Sequence, residues 1–135
     1  MSGLLVKDVM AKHPTAIAGG TPLPDVVDTL LRYKVSGLPV INEQEQVVGF
    51  VSEQDCLRSL LVSSYHAEGD PKVEDVMHTQ PLTVGLDASV VDVAEQMVKQ
   101  KPKVYPVVDE RYRLVGLLLR SQVLTALKNN RNCAS

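Results

Sequence analysis

The sequence contains no tryptophan, a single phenylalanine (Phe50) and only two cysteines in 135 residues. Aromatic residues make up 4% of the chain, which leaves few rings for stacking on single-stranded nucleic acid. Neither sign of charge dominates, with 14 Lys and Arg against 16 Asp and Glu and a formal net charge of −2. Nucleic-acid binders present a basic face, so this balance argues against one. No apolar run approaches the roughly 20 residues of a membrane span. The opening Met-Ser-Gly-Leu-Leu-Val-Lys has no signal-peptide pattern. Cys56 falls in a predicted helix and Cys133 in a tail, so no disulfide is expected and the chain is placed in the cytoplasm.

What the sequence does have is itself twice over. Shifted by 67 residues, it overlays itself without a gap. Val6-Lys7-Asp8-Val9-Met10 returns as Val73-Glu74-Asp75-Val76-Met77. At the same offset Pro14 meets Pro81, Asp25 meets Asp92, Pro39 meets Pro106, Gly49 meets Gly116 and Leu57 meets Leu124. Periodicity alone would not align Pro, Gly and Asp together, so the match is an internal repeat. One copy of about 60 residues is marginal as an independent fold. The two copies are therefore expected to share a core in one pseudo-symmetric α+β domain. The boundaries read as residues 6–66 and 73–130, with a linker at 67–72 and a tail at 131–135.

Each copy reads as β-α-β-β-α. A brief extended segment at 15–18, or at 82–84, precedes a helix. That helix carries Leu23, Val26, Val27, Leu30 and Leu31 at helical spacing, repeated as Val90, Val93, Ala94, Met97 and Val98. Ser89-Val-Val-Asp92 has capping-box form. Next come two strands around a polar turn, Leu38–Ile41 and Val47–Val51 in the first copy, then Val104–Val108 and Leu114–Leu119 in the second. Ser52-Glu-Gln-Asp55 has the form of a capping box and opens a helix bearing Cys56, Leu57, Leu60, Leu61 and Val62. This stripe is wider than one core requires, which points to a second buried face and a homodimer. The last helix carries Val123, Leu124 and Leu127, and Asn129 to Ser135 reads as a frayed tail.

Chemistry is expected at the start of the Ser52 helix, where free backbone N–H groups and a positive dipole end collect. His13, His66 and His78 do not coincide at the 67-residue offset, and their spacing suggests no metal site. They read as loop or surface histidines. No Ser-His-Asp or Cys-His arrangement is evident, and Cys56 in an apolar stripe reads as packing. No enzyme activity is expected.

Val-x-Asp-Val-Met at 6–10 and 73–77, Val35-Ser-Gly-Leu-Pro-Val40 and Gly49-Phe-Val-Ser52-Glu-Gln-Asp55 together resemble the CBS domain, in the tandem pair called a Bateman module. The resemblance runs from about Val6 to about Lys128. It implies a regulatory sensor whose two clefts take AMP, ADP, ATP or S-adenosylmethionine, a disc-shaped homodimer, and a separate regulated enzyme or transporter. It implies that Asp55 grips the ribose hydroxyls, that Ser52 and the helix start meet a phosphate, and that Lys103, Val104, Tyr105 and Pro106 of the other copy form the facing wall. In the second cleft Leu119 and Gln122 replace the Ser/Thr and Asp of the pattern. There the resemblance implies a base-binding wall from Val35, Ser36, Gly37, Leu38 and Pro39 with Thr21 nearby, and Arg120 beside the helix start is a candidate for phosphate. Unequal occupancy follows, with the Asp55 cleft favoured. The alternative is an interaction-only module with vestigial clefts.

Overall fold

Proline sets where the first long helix begins. Pro22 is its N-cap and Pro24 lies in its first turn, where no intrahelical N–H donor is needed. Asp25 adds an acid at the positive end, and Lys34 closes the other end in the left-handed region at φ 54°. The structure, a computed structural model, describes residues 3–63, 69–100 and 102–134. The elements are α1 (Val6–Val9), β1 (Ile17–Ala18), α2 (Leu23–Tyr33), β2 (Gly37–Ile41), β3 (Val47–Ser52), α3 (Glu53–Ser63), a 3₁₀ turn (Val73–Asp75), β4 (Val84–Gly85), α4 (Val90–Lys99), β5 (Val104–Val108), β6 (Leu114–Leu119) and α5 (Arg120–Ala134). The end of the first copy at 64–66 with His66, the linker start at 67–68, Lys101 and Ser135 lie outside the described residues.

The chain divides into two compact units, Thr15–Pro81 and the remainder, which joins the residues up to Pro14 to those from Leu82 on. In the first, β1 pairs parallel to β2 and β2 antiparallel to β3, with Gly37 opposite Ser52 and Leu38 opposite Val51. In the second, β4, β5 and β6 repeat that order and register. Asn42 accepts from the N–H groups of Gln44 and Gln46 at 2.9 Å each, which ties the β2–β3 turn. Asp109 does the same for Arg111 and Arg113 in the β5–β6 turn. The left-handed residues recur as well, His13 with Gln80 and Glu45 with Tyr112. The duplication therefore reaches down to single backbone torsions.

The units are out of step with the repeats. The lead-in α1 of the first copy packs with the second copy, where Val6 joins a buried cluster with Val84, Val90, Tyr105, Val107 and Leu118. Val6 N–H donates to Ala88 O and Lys7 N–H to Leu86 O. Residues 71–81 likewise belong with the first copy. Val73 is fully buried and donates to Thr21 O at 2.8 Å, and Leu23 donates to Pro71 O. Both carboxylate oxygens of Glu74 accept from Gly20 N–H.

Two expectations need correction. Leu31 and Val98 are 65% and 87% exposed, whereas Leu23, Val26, Leu30, Val90, Val93 and Met97 of the same stripes are buried and Val27 and Ala94 half-buried. Each stripe is wider than the sheet it covers, so its edge residues stay outside. The expected frayed tail is instead helical as far as Ala134. Asparagine costs only a few tenths of a kcal/mol per helical position, roughly, which neighbouring turns outweigh.

Candidate functional site

Gly49 makes the site possible. A Cβ at this position would overlap the Met77 sulfur and come within 2.8 Å of His78 O. Without one, the 76–78 segment lies directly on β3, and Phe50 and His78 exchange both backbone hydrogen bonds at 2.9 Å. That pairing sets His78 beside the start of α3. Met10, Ala11 and Gly116 repeat the arrangement in the other unit, with Ala11 and Leu117 exchanging bonds. The Met and the Gly of the two repeated motifs are thus matched surfaces.

The α3 start is a complete capping box. Asp55 N–H donates to Ser52 Oγ at 3.2 Å, while Ser52 N–H and Ser52 Oγ–H both donate to Asp55 Oδ2 at 2.9 Å. The other oxygen, Oδ1, lies 3.0 Å from His78 Nε2 and 3.4 Å from Arg58 Nη1. The Asp55 side chain is 2% exposed, whereas those of His78 and Arg58 are 68% and 70% exposed. A buried carboxylate therefore has one oxygen committed to the cap and the other facing two surface donors. Burial, with the charges of Asp55 and Glu53, pushes the adjacent Cys56 thiol up from its ordinary pKa, which disfavours the nucleophilic thiolate.

The equivalent start of α5 is simpler. Gln122 Oε1 accepts from Leu119 N–H at 2.8 Å, the role Asp55 Oδ2 plays for Ser52 N–H. Leu119 supplies no hydroxyl, Ala11 stands where His78 would, and Thr125 stands where Arg58 would. Gln122 instead borders a groove of about 560 Å³ with Leu4, Asp8, Val9, Ser121 and Thr125. That volume is within the range of small-molecule sites.

The remaining sequence candidates divide by exposure. Ser36 and Lys103 are exposed, and their carbonyls accept the first N–H of α3 and of α5 respectively, each at 2.9 Å. Thr21, Val35, Ser52 and Val104 are half-buried, while Gly37, Pro39 and Pro106 are buried. Gly37 leaves room for the Phe50 ring, which a Cβ would meet at 2.5 Å. Tyr105 is fully buried in its unit's core, so its side chain offers no ligand surface. Arg120 borders a different groove from Gln122, one lined by Val98, Leu124 and Leu127. His78 is at the surface, as read, yet it and Arg58 both face Asp55, a pairing not expected from the sequence. Arg58 was one helical turn from Asp55 and could have been found by spacing. His78 could not, because nothing local in the sequence announces its pairing with Phe50.

Among the described residues, no His/Cys/Asp/Glu group could hold a metal ion, and no helix is long and apolar enough to cross a membrane.

Comparison with known proteins gives a consistent answer. The family model described as CBS domain matches residues 6–62 and 73–129. The structure of CBSX2 from Arabidopsis thaliana in complex with AMP superposes with a TM-score of 0.84 at 31% identity, over 96% of this chain and 99% of that one. The CBS domain pair of protein MJ0100, solved with 5′-methylthioadenosine and S-adenosyl-L-methionine, gives 0.75 at 25% identity, over 90% of this chain and 98% of that one. Protein MJ1426 of Methanocaldococcus jannaschii is 27% identical, over 92% of this chain and 91% of its own length. Other relatives are much longer, and the chain spans only 22% of the L-aspartate semialdehyde sulfurtransferase of the same organism.

Proposed function

Since this chain belongs to the CBS domain family, as a tandem pair of such domains, we propose that it is a non-catalytic sensor that binds an adenosine nucleotide at the Asp55 helix start. Complexes of similar CBS pairs with AMP and with S-adenosyl-L-methionine support the ligand class. The observation that carries the site is the divided carboxylate of Asp55. Its Oδ2 stays with Ser52, and its Oδ1 exchanges His78 and Arg58 for a ribose hydroxyl. Hydrogen bonds to a charged acceptor are worth about 1.5–3 kcal/mol each, so trading two donors for one hydroxyl is offset only by what the released donors then bind. The two released cationic or neutral donors, both at the surface, are then free to meet the phosphate. The role of such a module is to bias a separate enzyme or transporter, in the cytoplasm, according to nucleotide level.

Titration calorimetry with AMP, ADP, ATP and S-adenosylmethionine tests the proposal. Binding of at least one is expected, and Asp55→Ala is expected to weaken it at least about tenfold, or about 1.4 kcal/mol. Asp55→Asn, which keeps an acceptor for Ser52 N–H, separates ligand contact from capping. No heat and no thermal shift at millimolar concentrations of all four would refute the sensor reading.

Leu119 and Gln122 favour a second reading for the other helix start, a neutral cap that holds no nucleotide. Binding at one site per chain is the expected stoichiometry. We further propose that the protein is a homodimer, because Leu57, Leu61 and Val62 on α3 are 59%, 77% and 56% exposed.

A further inference from the structure

The two lead-in motifs differ at one residue. Val-x-Asp-Val-Met has Lys at position 7 and Glu at position 74, and its other four residues are the same. Those residues also make the same contacts. Val6 and Val73 are both fully buried. Asp8 and Asp75 each accept from the backbone N–H three residues back. Met10 and Met77 each fill the space over a glycine, Gly116 and Gly49. Either lead-in therefore carries the fittings for either socket, the place on each unit that receives one. Chain length does not choose between the sockets. Val9 and Ile17 are eight residues apart (17 − 9), which spans up to roughly 28 Å, about the width of a unit of this size.

The differing residue meets a place where the sockets differ too. Lys7 Nζ lies 3.1 Å from Asp87 Oδ1. Glu74 receives the Gly20 N–H on its two carboxylate oxygens, at 3.0 and 2.9 Å. Residues 7 and 74 are 67 apart, and so are residues 20 and 87. The two contacts are thus one position of the fold filled twice with opposite chemistry. Gly20 has φ 84°, a left-handed torsion that Asp87 does not adopt. One socket presents a carboxylate to its lead-in, and the other presents an amide donor. An ion pair as exposed as Lys7–Asp87, at 48% and 81%, adds little to stability. A choice between two arrangements depends instead on the difference between them. With each lead-in on its own copy, Lys7 would meet Gly20 N–H, a cation against a donor. Glu74 would meet Asp87, two like charges.

We infer that residues 7 and 74 are an address. They send each lead-in to the unit built from the other copy and hold it off its own. The buried valine, the aspartate cap and the methionine supply the affinity, and the charged residue supplies the choice. The exchange of segments between the copies is encoded by two exposed side chains.

Methionine-methyl NMR of the full chain tests it, with circular dichroism confirming that each variant is folded. The methyls of Met10 and Met77 report which socket each lead-in fills. Wild type is expected to give one signal for each, with cross-peaks from Met10 to Gly116 and from Met77 to Gly49. Lys7→Glu/Glu74→Lys reverses the address. It is expected to give a second signal for each methyl, at about a tenth of the intensity or more, with cross-peaks to the other glycine. Should that chain not fold, Lys7→Glu/Asp87→Lys decides by the same readout. It leaves a satisfied contact in either arrangement and removes only the choice, so a second signal is expected there as well. A single set of wild-type contacts in the folded variant, at whatever stability, would overturn the address. Two sets of signals in the wild type would overturn it equally.

Discussion

The sulfur of Met77 occupies the space that a side chain on Gly49 would need. These residues are 28 apart in sequence (77 − 49) and belong to different copies of the repeat. Their contact lets residue 78 pair with β3 and so places His78 against Asp55.

Gly49→Ala is therefore expected to destabilise the fold by about 1–3 kcal/mol, the usual cost of overpacking a well-filled site. Met77→Ala in the same chain should recover part of the loss. Urea unfolding of the two single variants and the double variant measures both effects. Gly116 and Met10 should behave alike.

Asp55→Ala should lower stability by more than Gln122→Ala. The first removes a cap together with the acceptor for His78 and Arg58, while the second removes a neutral cap. A cap alone is worth about 0.5–2 kcal/mol. Midpoints of chemical denaturation, taken without nucleotide, give the comparison.

Tyr105 Oη is buried with no hydrogen-bond partner among the described residues, in a position that Leu38 fills in the other copy. Tyr105→Phe should leave stability unchanged or raise it by about 1 kcal/mol, since an unsatisfied buried hydroxyl is removed. Burial also raises the Tyr105 pKa. A raised folded-state pKa means stability that is intact below the unfolded value and lost as the pH climbs through the folded one. The alkaline limb of a stability–pH curve should accordingly shift upward in Tyr105→Phe.

The carboxyl of Asp109 is held below its ordinary pKa, first by the backbone N–H of Arg113, which desolvation opposes and which Arg111 N–H and the Arg113 guanidinium reinforce. Its contribution is complete above the unfolded-state value and is lost as the pH falls through the depressed folded-state value. Asp109→Asn, which reproduces the Asn42 turn of the first copy, should keep the turn and flatten the acid limb. Urea midpoints measured from neutral pH to about pH 3 would reveal this.

Much of this architecture was legible in the residues. The second hairpin falls where expected, over Val104–Val108 and Leu114–Leu119. The first is extended only by Gly37 and Ser52. β-Branched runs bounded by polar turns specify such strands locally. The capping box at Ser52 and Asp55 was likewise readable, because all its atoms lie within one helical turn. What could not be read depends on distance. Helical spacing groups Leu31 with Leu30 but does not say where the covering sheet ends. Nor does any local pattern show that Val6 is buried with Tyr105, or that His78 would meet Asp55. Arg120, adjacent to a predicted site, borders another groove because successive helical residues point about 100° apart.

The exchange of lead-in segments has a consequence for how the gene can be cut. Severed midway between its copies, the polypeptide yields two fragments that each carry a leader fitted to the other and lack the one that would seal their own interior. Such fragments should be poor folders alone and should restore each other when mixed, in the manner of a split reporter. Pro14 and Pro81, rather than the seam of the duplication, mark the natural joints of this molecule.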